Sequence, residues 1–164
     1  MNSIKIIKLE KFKDFRGKYI ESFNTTFYKK FSIKTNFIQD DFSFSKKNVL
    51  RGFHGDSKTW KLFFCVKGKV QFAFINYDIK SKNYLDNVSF IADENKPRLF
   101  LVPPKHGTAH LVLSEFAVIN YKQSTLYGKY KQFSINYKSK CLKFKWKYKK
   151  PIVSKRDKNA IILE

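Results

Sequence analysis

The sequence predicts an all-β sandwich or barrel. Three observations carry that prediction. Short apolar or alternating stretches recur at roughly 8–12 residue intervals, with turn residues between them. No strand–helix–strand alternation of the kind that builds a parallel sheet is present. The 164-residue length fits one domain with one real core, so residues 1–164 are read as a single unit.

Taken in order, Ile4 to Leu9 reads as a first strand. Lys13-Asp14-Phe15-Arg16-Gly17 is a turn, and Lys18 to Phe23 alternates as a second strand. Phe27, Tyr28 and Phe31 fall at helical spacing, which predicts a short helix over Thr25–Phe31 capped by Asn24 or Thr25. Asn36 to Phe44 returns to an extended pattern, and Val49 to Phe53 is a strand entering a polar turn. Trp60 to Val66 is almost continuously apolar, as expected of a strand covered on both faces. Lys67-Gly68-Lys69 then signals a hairpin into Val70–Tyr77. Strands are also expected over Tyr84–Ile91, Arg98–Val102, Ala109–Leu113 and Val118–Gln123. The last stretch, rich in lysine and aromatics, ends in a polar turn at Asp157-Lys158-Asn159.

Composition narrows the class of function. Hydrophobic residues make up 43% of the chain, which disfavours a disordered protein. No apolar run approaches the ~20 residues of a membrane span. The first residues lack the long apolar run and small-residue cleavage site of a signal peptide, so a soluble cytoplasmic protein is expected. Net charge is +21, which invites a nucleic-acid reading. Yet only four basic residues are arginine (Arg16, Arg51, Arg98 and Arg156), and arginine is the usual bidentate reader of phosphate and bases. The lysines are spread along the chain, so nucleic acid is not the expected partner, though the charge would speed capture of a small anion. Cys65 and Cys141 form no metal spacing and are read as reduced thiols.

The stretch Asn48–Lys69 concentrates the residues that could carry chemistry. His54 lies between Gly52 and Gly55, which lets the backbone approach a ligand closely. In a regular strand Arg51 and His54 would face opposite ways. Both reach one pocket only if the chain bends, which Gly52 permits. A metal is not expected, because His54, His106 and His110 form no HxH pattern. There is no GxSxG elbow and no phosphate-cradling glycine loop. Proton transfer by histidine, tyrosine, lysine and aspartate remains.

Phe37-Ile38-Gln39-Asp40-Asp41, followed by Ser45 through His54 (SKKNVLRGFH), resembles the central signature of the dTDP-4-dehydrorhamnose 3,5-epimerase family. The likeness runs in order from Phe15-Arg16-Gly17 and Glu21 through Lys61-Leu62, Val102-Pro103, Leu113-Ser114-Glu115, Tyr121-Lys122 and Trp146 to Pro151–Asp157. It implies a cupin-like antiparallel β-barrel, a jelly roll with one or two short helices, that forms a homodimer. It implies epimerisation of a nucleotide-activated 4-keto sugar with no metal or redox cofactor.

By that resemblance His54 matches the base and Asp157 its carboxylate partner. Lys61 matches the cation beside the enolate oxygen, and Tyr121 the acid that returns a proton to carbon. Arg51 and Arg16 match diphosphate contacts, Glu21 and Gln39 lie in the nucleotide region, and Tyr127 is a further pocket tyrosine. Thr108 stands where rhamnose-pathway members carry a second histidine. His106 and His110 fall at the flanking aromatic positions, and His110 is the candidate to take over that role. The His54–Lys61 loop is also shorter than usual. This pattern resembles a branch acting on GDP-linked 4-keto sugars, including the 4-keto heptoses of bacterial capsules. The expected function is therefore inversion of C3, C5 or both in such a substrate, for capsule or other surface-polysaccharide synthesis. Three alternatives stay open: dTDP-4-dehydrorhamnose 3,5-epimerisation proper, 3,4-ketoisomerisation, and a basic binding module that kept the barrel and lost the chemistry.

Overall fold

The structure, a computed structural model, describes residues 4–164. Two five-stranded antiparallel sheets face each other. One holds, in spatial order, β1 (Lys5–Lys8), β9 (Arg98–Val102), β6 (Lys61–Lys67), β11 (Phe116–Gln123) and β4 (Gln39–Lys46). The other holds β12 (Phe133–Ser134), β5 (Leu50–Gly55), β10 (His106–Val112), β7 (Lys69–Asn76) and β8 (Asn87–Asp93). A separate hairpin pairs β2 (Phe12–Asp14) with β3 (Gly17–Tyr19). Among the described residues no helix is long and apolar enough to cross a membrane.

The side-chain period of two explains how each sheet buries both faces. On β6, Phe63 and Cys65 point between the sheets and meet Phe72, Phe74, Phe100 and Ile119. Leu62 and Phe64 point the other way and pack with Ile7, Leu99, Leu101 and Tyr28 of α1 (Thr25–Lys30). On β7, Phe72 and Phe74 face inward, while Ala73 and Ile75 face outward. That outer face is covered by the carboxy-terminal segment through Phe133, Leu142, Phe144 and Trp146. The lysine- and aromatic-rich tail is thus a third layer: its aromatics cover sheet and its lysines face water. Cys65 and Cys141 lie in different layers and are unbridged.

Local signals account for the element ends. Asn24 caps α1, its side-chain oxygen accepting from the Phe27 N–H at 2.6 Å. Gly68 turns the β6–β7 hairpin at φ +83°. β3 ends at Tyr19, short of the expected Phe23. β8 begins only at Asn87, because 78–86 is a turn tied back to Asn76. β10 begins at His106, three residues before the expected start, since its whole length pairs with β7. The polar turn expected at Asp157 is instead a short helix, α2 (Lys155–Lys158), capped by the Ser154 hydroxyl.

Candidate active site

β5 supplies the first half of the site. His54 pairs with Thr108 on β10, and Arg51 pairs with His110. Three residue steps on β5 therefore oppose two on β10, which is a bulge. The extra residue restores parity, so Arg51 and His54 share one face. Gly52 sits in the bulge at φ +111°, and a Cβ there would lie 2.3 Å from the Thr108 carbonyl oxygen. No other residue fits that backbone and that contact.

The facing sheet supplies the second half. Lys61 opens β6 opposite Gln123, and Tyr121 lies two residues earlier on β11. The Tyr121 ring stacks on Phe63 at 5.6 Å. Arg51, His54, Lys61, His110, Tyr121, Tyr127 and Asp157 all line one cavity of about 730 Å³ between the sheets.

Asp157 reaches this cavity from the far end of the chain. Ile152 bridges to Val49, donating its N–H to the Asn48 carbonyl and accepting from the Leu50 N–H. That bridge lays the tail along β5 and brings α2 over His54. The Asp157 carboxylate, 2% exposed, stands 2.6 Å from His54 Nε2 and also accepts from the Gly52 N–H. Burial opposes its ionisation. The hydrogen bond and charge of His54, with those from Gly52 and Ser154, win and hold its pKa below the ordinary carboxylate value. An ionised carboxylate only accepts, so Nε2 donates the hydrogen bond. That fixes the neutral tautomer and leaves Nδ1 with the basic lone pair.

The opposing groups are tuned by burial. Lys61 is 7% exposed and pairs with no carboxylate among the described residues. Burial pulls its pKa down, Asp56 raises it and Arg156 lowers it further. The Tyr121 hydroxyl is pushed up by burial and by Asp41, with Arg51 acting the other way. A buried lysine, a phenol and an imidazole lining one cavity can stabilise one negative charge and move two protons.

Three expected residues stand apart. Arg16 is on the exposed β2–β3 turn, paired with Asp14, outside the cavity lining of its own chain. Glu21 accepts from Asn24 beside α1 and is likewise absent from the cavity. Gln39 is also absent from the cavity lining and touches it only through Tyr127: its Oε1 accepts from the Tyr127 N–H and its amide donates to Asp41. Sequence reasoning missed Arg156, which lines the cavity next to Asp157 and donates to Ser134 and Gln132. The scarcity of arginine was the signal that could have found it. Among the described residues no group of three or more histidine, cysteine, aspartate or glutamate side chains could hold a metal ion.

A family model described as dTDP-4-dehydrorhamnose 3,5-epimerase matches residues 1–164. The chain is 32% identical to the dTDP-4-dehydrorhamnose 3,5-epimerase of Salmonella typhimurium, over 97% of this chain and 90% of that one. It is 34% identical to the Escherichia coli protein of the same name, over 77% of this chain and 71% of that one. Among solved structures it is similar to dTDP-6-deoxy-D-glucose-3,5-epimerase from Legionella pneumophila, in complex with dTDP-4-keto-L-rhamnose. That match has a TM-score of 0.92 and 30% identity, over 99% of this chain and 88% of that one.

Proposed function

The chain belongs to the dTDP-4-dehydrorhamnose 3,5-epimerase family, and on that premise we propose that it inverts C3, C5 or both in a nucleoside-diphosphate-linked 4-keto sugar. The observation that carries the reading is the convergence of four groups in one cavity: His54 backed by Asp157, the buried Lys61 ammonium, and Tyr121. Nδ1 of His54 takes the proton from the carbon beside the carbonyl, and the C–H electrons move onto the carbonyl oxygen. Lys61 stabilises that enolate, whose charge relieves the cost of burying an unpaired ammonium. The Tyr121 O–H returns a proton to the opposite face, and water resets both groups. Arg51 and Arg156, exposed at the mouth, suit the diphosphate. A basic binding module would need none of this acid–base set.

Relatives at 30–34% identity are named for dTDP substrates, which supports a thymidine nucleotide. The GDP-linked reading, with a heptose or 6-deoxy sugar for capsule or surface-polysaccharide synthesis in the cytoplasm, rests on a specific observation. Thr108, not a histidine, lines the cavity beside His54. A homodimer is part of the proposal. Phe42 and Phe44 of the edge strand β4 and Phe116 of the neighbouring β11 form an exposed aromatic stripe beside the cavity, and an exposed apolar stripe at a sheet edge favours association.

The test is solvent deuterium exchange. The protein is incubated in D2O with dTDP- and GDP-linked 4-keto-6-deoxy sugars, and the C3–H and C5–H signals are followed by NMR. Loss of one or both signals with one nucleotide series is expected. His54→Asn should slow it by roughly 10²–10⁴. No exchange with either series overturns the proposal, and a carbonyl found at C3 would show ketoisomerisation instead.

A further inference from the structure

His110 is the anomaly of the cavity. It is 7% exposed, it lines the same cavity as His54 and Lys61, and its Nε2 is buried with no hydrogen-bond partner. The only other buried side-chain atom so placed among the described residues is the Tyr28 hydroxyl, which lies away from this cavity. Unpaired buried polar atoms are rare because each forfeits its bonds to water. His110 holds this place by register. It stands between Arg51 on β5 and Phe72 on β7, its ring edge-on to Phe72 at 6.0 Å. The inter-sheet core lies directly behind it.

We propose that His110 is a substrate-specificity residue: from the cavity floor its imidazole hydrogen-bonds a hydroxyl of the sugar, not the diphosphate. The inference rests on the reading of the cavity as a nucleotide-sugar site. Depth argues for the sugar. In that reading the exposed Arg51 and Arg156 take the diphosphate, so the part left to meet the buried His110 is the hexose or heptose ring. Charge argues for a neutral partner. Burial, with Arg51 and His54 close by and Asp157 only partly offsetting them, keeps the imidazole uncharged. A neutral imidazole has one donor and one acceptor nitrogen, and a hydroxyl, which both donates and accepts, suits either tautomer. Phosphate and carbonyl oxygens only accept. Thr108 beside it adds to a polar floor, since its hydroxyl proton is given to the His54 carbonyl and its lone pairs stay available.

The experiment compares wild type, His110→Phe and His110→Gln by calorimetric titration. The probes are dTDP and GDP alone, then the 4-keto-6-deoxy sugar conjugate of each. Phenylalanine keeps the ring shape and removes the unpaired nitrogen, so its melting temperature should hold or rise. For His110→Phe the Kd of the sugar nucleotide should rise about tenfold, the equivalent of about 1.4 kcal/mol. The Kd of the nucleoside diphosphate should stay within about twofold of wild type, and His110→Gln should recover part of the loss. Equal weakening of both probes would make His110 a diphosphate contact, and no change would make it a core residue; either overturns the proposal. If His110→Phe does not fold, wild-type protein with ¹⁵N-labelled histidine gives the same reading. The His110 Nε2 resonance should move with the sugar nucleotide and not with the nucleoside diphosphate, and identical shifts overturn the proposal. Wild-type deuterium exchange in the same samples tests the epimerase reading separately.

Discussion

The pairing of His54 with Asp157 is the most informative contact in the molecule. Its 2.6 Å separation sets which nitrogen is basic, because a buried ionised carboxylate can only accept. Asp157→Asn replaces that acceptor with an amide that can donate, which favours the wrong tautomer. Exchange should fall by roughly 10²–10⁴ while the far-ultraviolet dichroism is unchanged; undiminished exchange would remove Asp157 from the machinery. The same contact has a pH signature. The folded-state pKa of Asp157 lies below its ordinary 3.8, so its stabilisation is fully present above about pH 3.8 and lost as pH falls through the folded value. Urea titrations between neutral pH and pH 3 should show a shallower acid loss for Asp157→Asn than for wild type.

At the scale of elements, β5 is the decisive strand. A regular strand would send Arg51 and His54 to opposite faces, and the bulge at Gly52 puts them on one. Gly52→Ala places a Cβ 2.3 Å from the Thr108 carbonyl at a positive φ. The expected cost is about 1–3 kcal/mol in urea denaturation, together with loss of exchange out of proportion to the loss of fold. An alanine variant with wild-type stability and exchange would show that the bulge tolerates a side chain. The tail element is comparable in weight. Ser154 starts α2 and the Ile152–Val49 bridge seats it, so Asp157 arrives over His54 on the second short helix.

At the scale of the whole molecule, the cavity within one chain lacks three residues expected in it; Gln39 touches its lining only through the Tyr127 N–H, and the other two lie farther off. Arg16 and Glu21 sit on the amino-terminal arm, outside the cavity lining. They can serve the nucleotide only if a second copy presents them, which ties them to the proposed homodimer. Light scattering should give the mass of two chains, twice the 19.5 kDa of one. Arg16→Ala and His54→Asn should each be weak in exchange. A mixture refolded together should regain activity, because one site of each mixed dimer keeps both residues. No gain on mixing would place Arg16 outside the site.

The sequence by itself determined the β architecture and pointed to the chemistry. Alternation along β7, the doubly covered β6 and the Gly68 hairpin are local properties, written in residues a few positions apart. The Arg51–His54 stretch and the scarcity of arginine likewise needed no partner to be noticed. The family resemblance named Asp157 and Tyr121 as partners of His54, but only the tertiary structure decided how the distant residues meet and which of the expected ones do not. Asp157 reaches His54 across 103 residues, Tyr121 faces them from the other sheet, Arg156 enters the cavity unannounced, and Arg16 and Glu21 do not enter it at all. The physical reason is that a site between two sheets is set by register and closure. A one-residue bulge and a short bridge choose its members; Gly52 permits the bulge without specifying it, and the bridge has no signature in the neighbouring sequence.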